Sequence, residues 1–284
     1  MKWENRRSSS NIEDRRGSGG RLGGLGGIRL SGGAMVLLAV AYLLFGGKLS
    51  SLPYILSGVQ SQSQSTNIIS DEDFSDSEDI KKFTGVVLAD TEDVWNEKFK
   101  EIGKTYEEPS LVIYSGGIKS GCGVSSSAVG PFYCSADEKI YIDLSFYNTM
   151  KRDLGSKGDF AFAYVIAHEI GHHVQNQLGI LNDAHRQMAS SSKKVANEIS
   201  VRLELQADYF AGVFARYVQD KGYLEKGDIE EAMEAARSVG DDTLQMKNTG
   251  TINPDSFTHG TSEDRMKWFN KGFEYGTIED GNTF

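Results

Sequence analysis

The chain has 284 residues, 39% of them hydrophobic, which is enough for a sizeable core in one or two domains and excludes a wholly disordered protein. Its 40 acidic and 30 basic residues leave a formal charge of −10. That balance excludes nucleic acid as a partner, because phosphate binding needs a basic surface.

The basic residues crowd at the start. Before residue 31 stand Lys2, Arg6, Arg7, Arg15, Arg16, Arg21 and Arg29, against Glu4, Glu13 and Asp14. Residues 1–27 are rich in Arg, Ser and Gly and poor in large apolar side chains, so they are expected to form a disordered basic tail. Residues 34–45 are apolar and flanked by glycines, and the segment 28–47 approaches the ~20 residues that span a bilayer. A buried core helix fits poorly between a basic tail and a polar linker. A cleaved signal peptide lacks a small-x-small site after Phe45. The segment therefore reads as a single transmembrane helix. The positive-inside rule then puts the N-terminus in the cytoplasm and the rest of the chain in a periplasmic or extracellular space. Residues 48–82, with alternating Ser and Gln followed by an acidic run, read as a polar spacer.

The domain is expected over residues 83–284. A first helix is expected over 91–102, with Val94, Trp95, Phe99 and Ile102 on one face and Asp90 as N-cap. Residues 111–114 and 139–143 read as strands, and the Gly- and Ser-rich stretch between them reads as loop or hairpin. That stretch holds the two cysteines, Cys122 and Cys134. A disulfide, two buried thiols and half of a metal site all remain open; a disulfide is the better reading outside the cytoplasm. Helices follow over 160–178, 193–219, 225–239 and 262–273. The fold class is α+β, a small antiparallel sheet plus a helical lobe.

The chemistry concentrates in His168-Glu169-Ile170-Gly171-His172. Histidines four apart on a helix face the same way and can share one Zn²⁺, while the intervening glutamate can take a proton from water. A catalytic zinc needs a third protein ligand. The metzincin continuation would place Gly at 175 and His at 178, where this chain has Gln175 and Leu178. Downstream, Glu204-Leu205-Gln206-Ala207-Asp208 places two acids one helical turn apart. One can bind zinc while the other accepts the free N–H of a ligand histidine. Small residues at Ala207, Ala211 and Gly212 would allow close helix approach. His173 points about 100° away from His172 on a helix, and His185 lies in a polar stretch, so neither is expected at the metal.

Together these two motifs resemble the gluzincin metallopeptidases, and more closely the bacterial neutral zinc metallopeptidase family, whose members are typically membrane-anchored. The segments Gly130 to Asp137 and Ile140 to Asp143 share in the resemblance. It implies a compact zincin fold with an edge strand beside the cleft. It also implies Zn²⁺ held by His168, His172 and Glu204, with Asp208 behind them and Glu169 as general base. In Thr258-His259-Gly260-Thr261-Ser262-Glu263-Asp264-Arg265, the resemblance implies that His259 stabilises an oxyanion. Arg265 is then expected to anchor the site's acids or the start of the last helix. The expected activity is hydrolysis of peptide bonds in a peptide or protein substrate outside the cytoplasm. Two alternatives stay open: a catalytically silent, membrane-tethered zinc-binding scaffold, and a zinc amidohydrolase acting on a non-peptide cell-envelope substrate.

Overall fold

A computed structural model describes residues 1–16, 77–155 and 158–284. The expected anchor at 28–47 and most of the expected linker lie outside the described residues. Among those that are described, no helix is long and apolar enough to cross a membrane.

The fold is mixed α and β, mostly helical. Strands β1 (Ile12–Asp14), β2 (Ser110–Tyr114), β6 (Lys139–Asp143) and β5 (Phe132–Cys134) form one sheet in the order β1-β2-β6-β5. Strands β3 (Gly117–Ser120) and β4 (Gly123–Ser126) form a separate hairpin. The main sheet is not the antiparallel one expected. β1 and β6 both run parallel to β2, and only β5 runs antiparallel to β6. The excursion between β2 and β6 is long enough for a crossover, and periodicity within a strand carries no information about its direction. Both faces of β2 are covered. Leu111 and Ile113 join the main core, while Val112 and Tyr114 pack with Cys134 and Tyr141 on the other side.

The helices are α1 (Ser77–Glu101), α2 (Ser145–Thr149), α3 (Asp159–Gln177), α4 (Ile180–Ala189), α5 (Lys193–Asp220), α6 (Asp228–Ser238), α7 (Asp241–Thr249) and α8 (Ser262–Tyr275). α3 buries Phe160, Phe162, Ile166, Ile170 and Val174 and runs through the middle of the core. α5 packs along it. Where α5 crosses α8 the backbones nearly touch: a Cβ on Gly272 would sit 1.9 Å from the carbonyl oxygen of Tyr209. α8 starts cleanly because Thr261 accepts the Asp264 N–H and donates to the Asp264 carboxylate.

Two expectations about the start of the chain need correction. The helix expected to begin after Asp90 begins at Ser77, inside the stretch read as linker, and Asp90 lies buried within α1. Residues 1–16, expected to be disordered, are folded against the domain. Leu111 N–H donates to the Asn11 carbonyl and Arg15 N–H to that of Ile113, so β1 extends the sheet. Arg6 pairs with Asp90, and its guanidinium lies 3.4 Å over the Tyr223 ring. Arg7 bonds Glu92 at 2.9 Å and Asp93 at 2.8 Å. The Met1 ammonium, itself buried, lies 2.6 Å from Asp159 at the start of α3. The segment looks like a poor core former because its ordering relies on these paired charges and on Trp3 packed edge-on against Phe83, not on its own apolar content.

Candidate metal centre

α3 carries His168 and His172 one turn apart, with ring centroids 4.9 Å apart and nearly perpendicular planes. α5 crosses α3 at Gly171 and Ala207. A Cβ on Gly171 would meet the Ala207 Cα and carbonyl oxygen at 3.0 Å, so only glycine lets the helices come this close. That approach brings Glu204 to the histidines. His168 Nε2 lies 3.2 Å from Glu204 Oε2, and His172 Nε2 lies 3.5 Å from Glu204 Oε1. One ligand atom from each of the three residues falls within 4.8 Å of the other two.

The donor set fits a zinc ion. Two atoms bound at about 2.0–2.1 Å to one tetrahedral ion sit roughly 3.3 Å apart, close to the separations seen here. The second nitrogen of each imidazole is occupied. His168 Nδ1 lies 2.9 Å from Asp208 Oδ1, and His172 Nδ1 lies 2.9 Å from Gln175 Oε1. Each acceptor oxygen fixes a proton on Nδ1, so that Nε2 is the nitrogen that faces Glu204 and can be offered to a metal. The pocket also calls for a cation. Burial disfavours a charged His168, yet the Asp208 and Glu204 carboxylates outweigh it and push the imidazole up to about 10. Burial likewise opposes the Glu204 carboxylate, but the surrounding imidazoles hold it well below the usual range.

Asp208 has no solvent exposure and is fully satisfied. Arg265 Nε donates to its Oδ2 at 2.8 Å and Arg265 Nη2 to its Oδ1 at 3.0 Å. The Tyr164 hydroxyl donates to Oδ1 at 2.5 Å. Burial raises the Tyr164 phenol far above its ordinary range, so it stays a donor. Of the two roles expected for Arg265, the structure places the side chain on the acid. Tyr164 was not anticipated, although it precedes His168 by four residues and so faces the same way. Gln175 was met only as a residue that breaks the metzincin pattern. It is buried and clamped by the Leu203 carbonyl and Gln206.

Glu169 follows His168 on α3 and is half-buried. His259 lies in the loop before α8. Asp241, at the start of α7, holds that loop: its Oδ2 accepts the N–H groups of Thr258, His259 and Gly260 at 2.7, 2.6 and 3.0 Å. Its Oδ1 lies 3.3 Å from His259 Nδ1. Gly260 has φ of +93°, a conformation open to glycine, and sits against Val201 and Leu205 of α5. Burial works against the His259 imidazolium, but Glu204 and Asp241 favour it and raise its pKa. Nothing in the sequence singled out Asp241, because an acid at a helix start is commonplace.

The remaining expectations sort simply. His173 points away from the metal ligands, buried between the Tyr133 hydroxyl at 3.0 Å and the Glu107 carbonyl at 2.7 Å. His185 is exposed on α4. Cys122 and Cys134 are joined in a disulfide that ties the β3–β4 hairpin to β5.

The family model described as "Putative neutral zinc metallopeptidase" matches residues 1–284. A protein of Escherichia coli K12 described as "Uncharacterized protein YpfJ" is 48% identical over 287 residues, covering 100% of this chain and 99% of its own length. "Uncharacterized protein Rv2575" of Mycobacterium tuberculosis is 42% identical over 190 residues, covering 63% of each chain. "Uncharacterized protein Mb2605" of Mycobacterium bovis matches to the same extent, at 42% over 190 residues. No solved structure matches. The chain belongs to the neutral zinc metallopeptidase family.

Proposed function

We propose that this protein is a zinc-dependent peptidase that hydrolyses peptide bonds outside the cytoplasm. The observation that carries the reading is the convergence of His168, His172 and Glu204 within 4.8 Å, backed by Asp208, with Glu169 next to His168 in the chain. A bound zinc ion would supply Lewis acidity, polarising the scissile carbonyl and making water easier to deprotonate. Glu169 takes the proton from the attacking water and passes it to the leaving amine. His259, oriented by Asp241 and favoured in its charged form, donates to the oxygen that gains negative charge. Asp208, Arg265 and Tyr164 hold His168 in the tautomer that ligates. Strand β5 is an edge of the sheet, available to pair with an extended peptide. The Cys122–Cys134 disulfide supports an oxidising compartment. Attachment to a membrane through residues 28–47 rests on the sequence pattern.

The test is Glu169→Gln, assayed for zinc content and for cleavage of a peptide library. The variant is expected to keep one zinc per chain and lose turnover by at least 10²-fold, in line with the contribution of a general base. Undiminished cleavage would remove Glu169 from the reaction.

A further inference from the structure

We infer that residues 1–16 and the metal-site domain occupy the same compartment. The inference rests on how completely the N-terminal segment is built into the domain. β1 supplies an outer strand to the main sheet, paired in register as Ile12 with Leu111, Glu13 with Val112 and Asp14 with Ile113. Ser9 N–H donates to the Gly85 carbonyl at 2.9 Å, and Lys2 N–H donates to the Tyr223 carbonyl at 2.8 Å. The contacts therefore run the length of the segment and reach α1, β2 and the turn that follows α5. A hydrocarbon layer about 30 Å thick between the two parts would forbid every one of them.

The charges argue the same way. The positive-inside rule reads Arg and Lys as free charges that resist translocation. Among the described residues they are not free. Arg6 is committed to Asp90, Arg7 to Glu92 and Asp93, and Arg16 to Glu78 at 2.7 Å, while Lys2 Nζ donates to the Gly222 carbonyl at 3.1 Å. Those partners belong to the domain. Lys2, Arg6, Arg7 and Arg16 thus have their partners within the fold and do not by themselves report a cytoplasmic tail. Removing the segment would take from Asp90 and Glu92, almost fully buried with it in place, their Arg6 and Arg7 partners. The arrangement expected from sequence, tail on one side and domain on the other, is incompatible with this packing.

The experiment uses the full-length protein in intact cells. Single cysteines are introduced at Ser10 or Glu4 in the N-terminal segment and at Lys226 in the domain, all exposed positions. Cells are treated with a membrane-impermeant maleimide, and labelling is expressed relative to lysed cells. The unmodified chain, whose two cysteines are bonded, sets the background. The expected result is matched labelling, with Ser10→Cys, Glu4→Cys and Lys226→Cys all reactive or all protected. Labelling of Lys226→Cys with protection of both N-terminal positions, or the reverse, would overturn the inference. The readout needs no activity, so it stands or falls separately from the peptidase assignment.

Discussion

Replacing Gly171 with Ala tests whether the metal centre depends on the close approach of α3 and α5. The added Cβ would lie 3.0 Å from both the Cα and the carbonyl oxygen of Ala207, and neither backbone atom can rotate away. Ordinary carbon contacts begin near 3.5 Å, so the helices must part by about 0.5 Å at the crossing. Metal–ligand distances tolerate about ±0.2 Å. Without metal the helices can relax apart, and a helix interior gains about 1 kcal/mol when Gly becomes Ala. With metal, Glu204 must be drawn back to His168 and His172 against the inserted methyl. Overpacking of this kind costs about 1–3 kcal/mol, and here it falls on the bound state. Zinc affinity should therefore drop by about tenfold or more while the metal-free protein unfolds at nearly the same temperature. Competition against a chromophoric chelator gives the affinity, and thermal unfolding in excess chelator gives the stability. Wild-type zinc affinity in a folded Gly171→Ala protein would refute the reasoning. A fully unfolded variant would show that the crossing supports the whole core.

Asp208→Asn removes the charge shared by His168 and Arg265 and leaves a buried guanidinium uncompensated. Zinc affinity should fall about 10–100-fold, with a stability loss of about 3–5 kcal/mol measured by urea unfolding. Asp241→Ala frees three loop N–H groups, so it should keep its zinc yet lower kcat, with a stability cost of about 1–3 kcal/mol. Metal analysis beside kcat separates it from a ligand mutant; an unchanged kcat would show that the hold of Asp241 on His259 is not needed for the reaction. The Cys122→Ser, Cys134→Ser double variant opens a short loop and should lose about 3 kcal/mol. In calorimetry that is a fall in Tm of roughly 6–12 °C for a domain of this size, and a reductant should reproduce it in the unmodified protein.

The sequence alone determined the features that depend on spacing along one helix. His168, Glu169 and His172 share α3 because i, i+4 spacing leaves no other outcome on a helix, and Glu204 and Asp208 share α5 for the same reason. The helices over 160–178, 193–219, 225–239 and 262–273 were legible to within a few residues: the last three carry a 3.6-residue pattern, and the first is apolar on nearly every face of its first half, as suits a buried helix. The tertiary structure decided what lies between elements. The crossing at Gly171 and Ala207 brings two local motifs, 32 residues apart in the chain from His172 to Glu204, onto one cation site. Tyr164, Gln175 and Asp241 acquire their partners only through that packing, and an isolated acid or amide carries no local signal of it. The direction of β1 and β6 relative to β2 was hidden because a strand pattern is the same read either way. The first sixteen residues show the limit most clearly. Judged by their own composition they cannot fold, and they do so because the buried acids of α1, far along the chain, complete their charges.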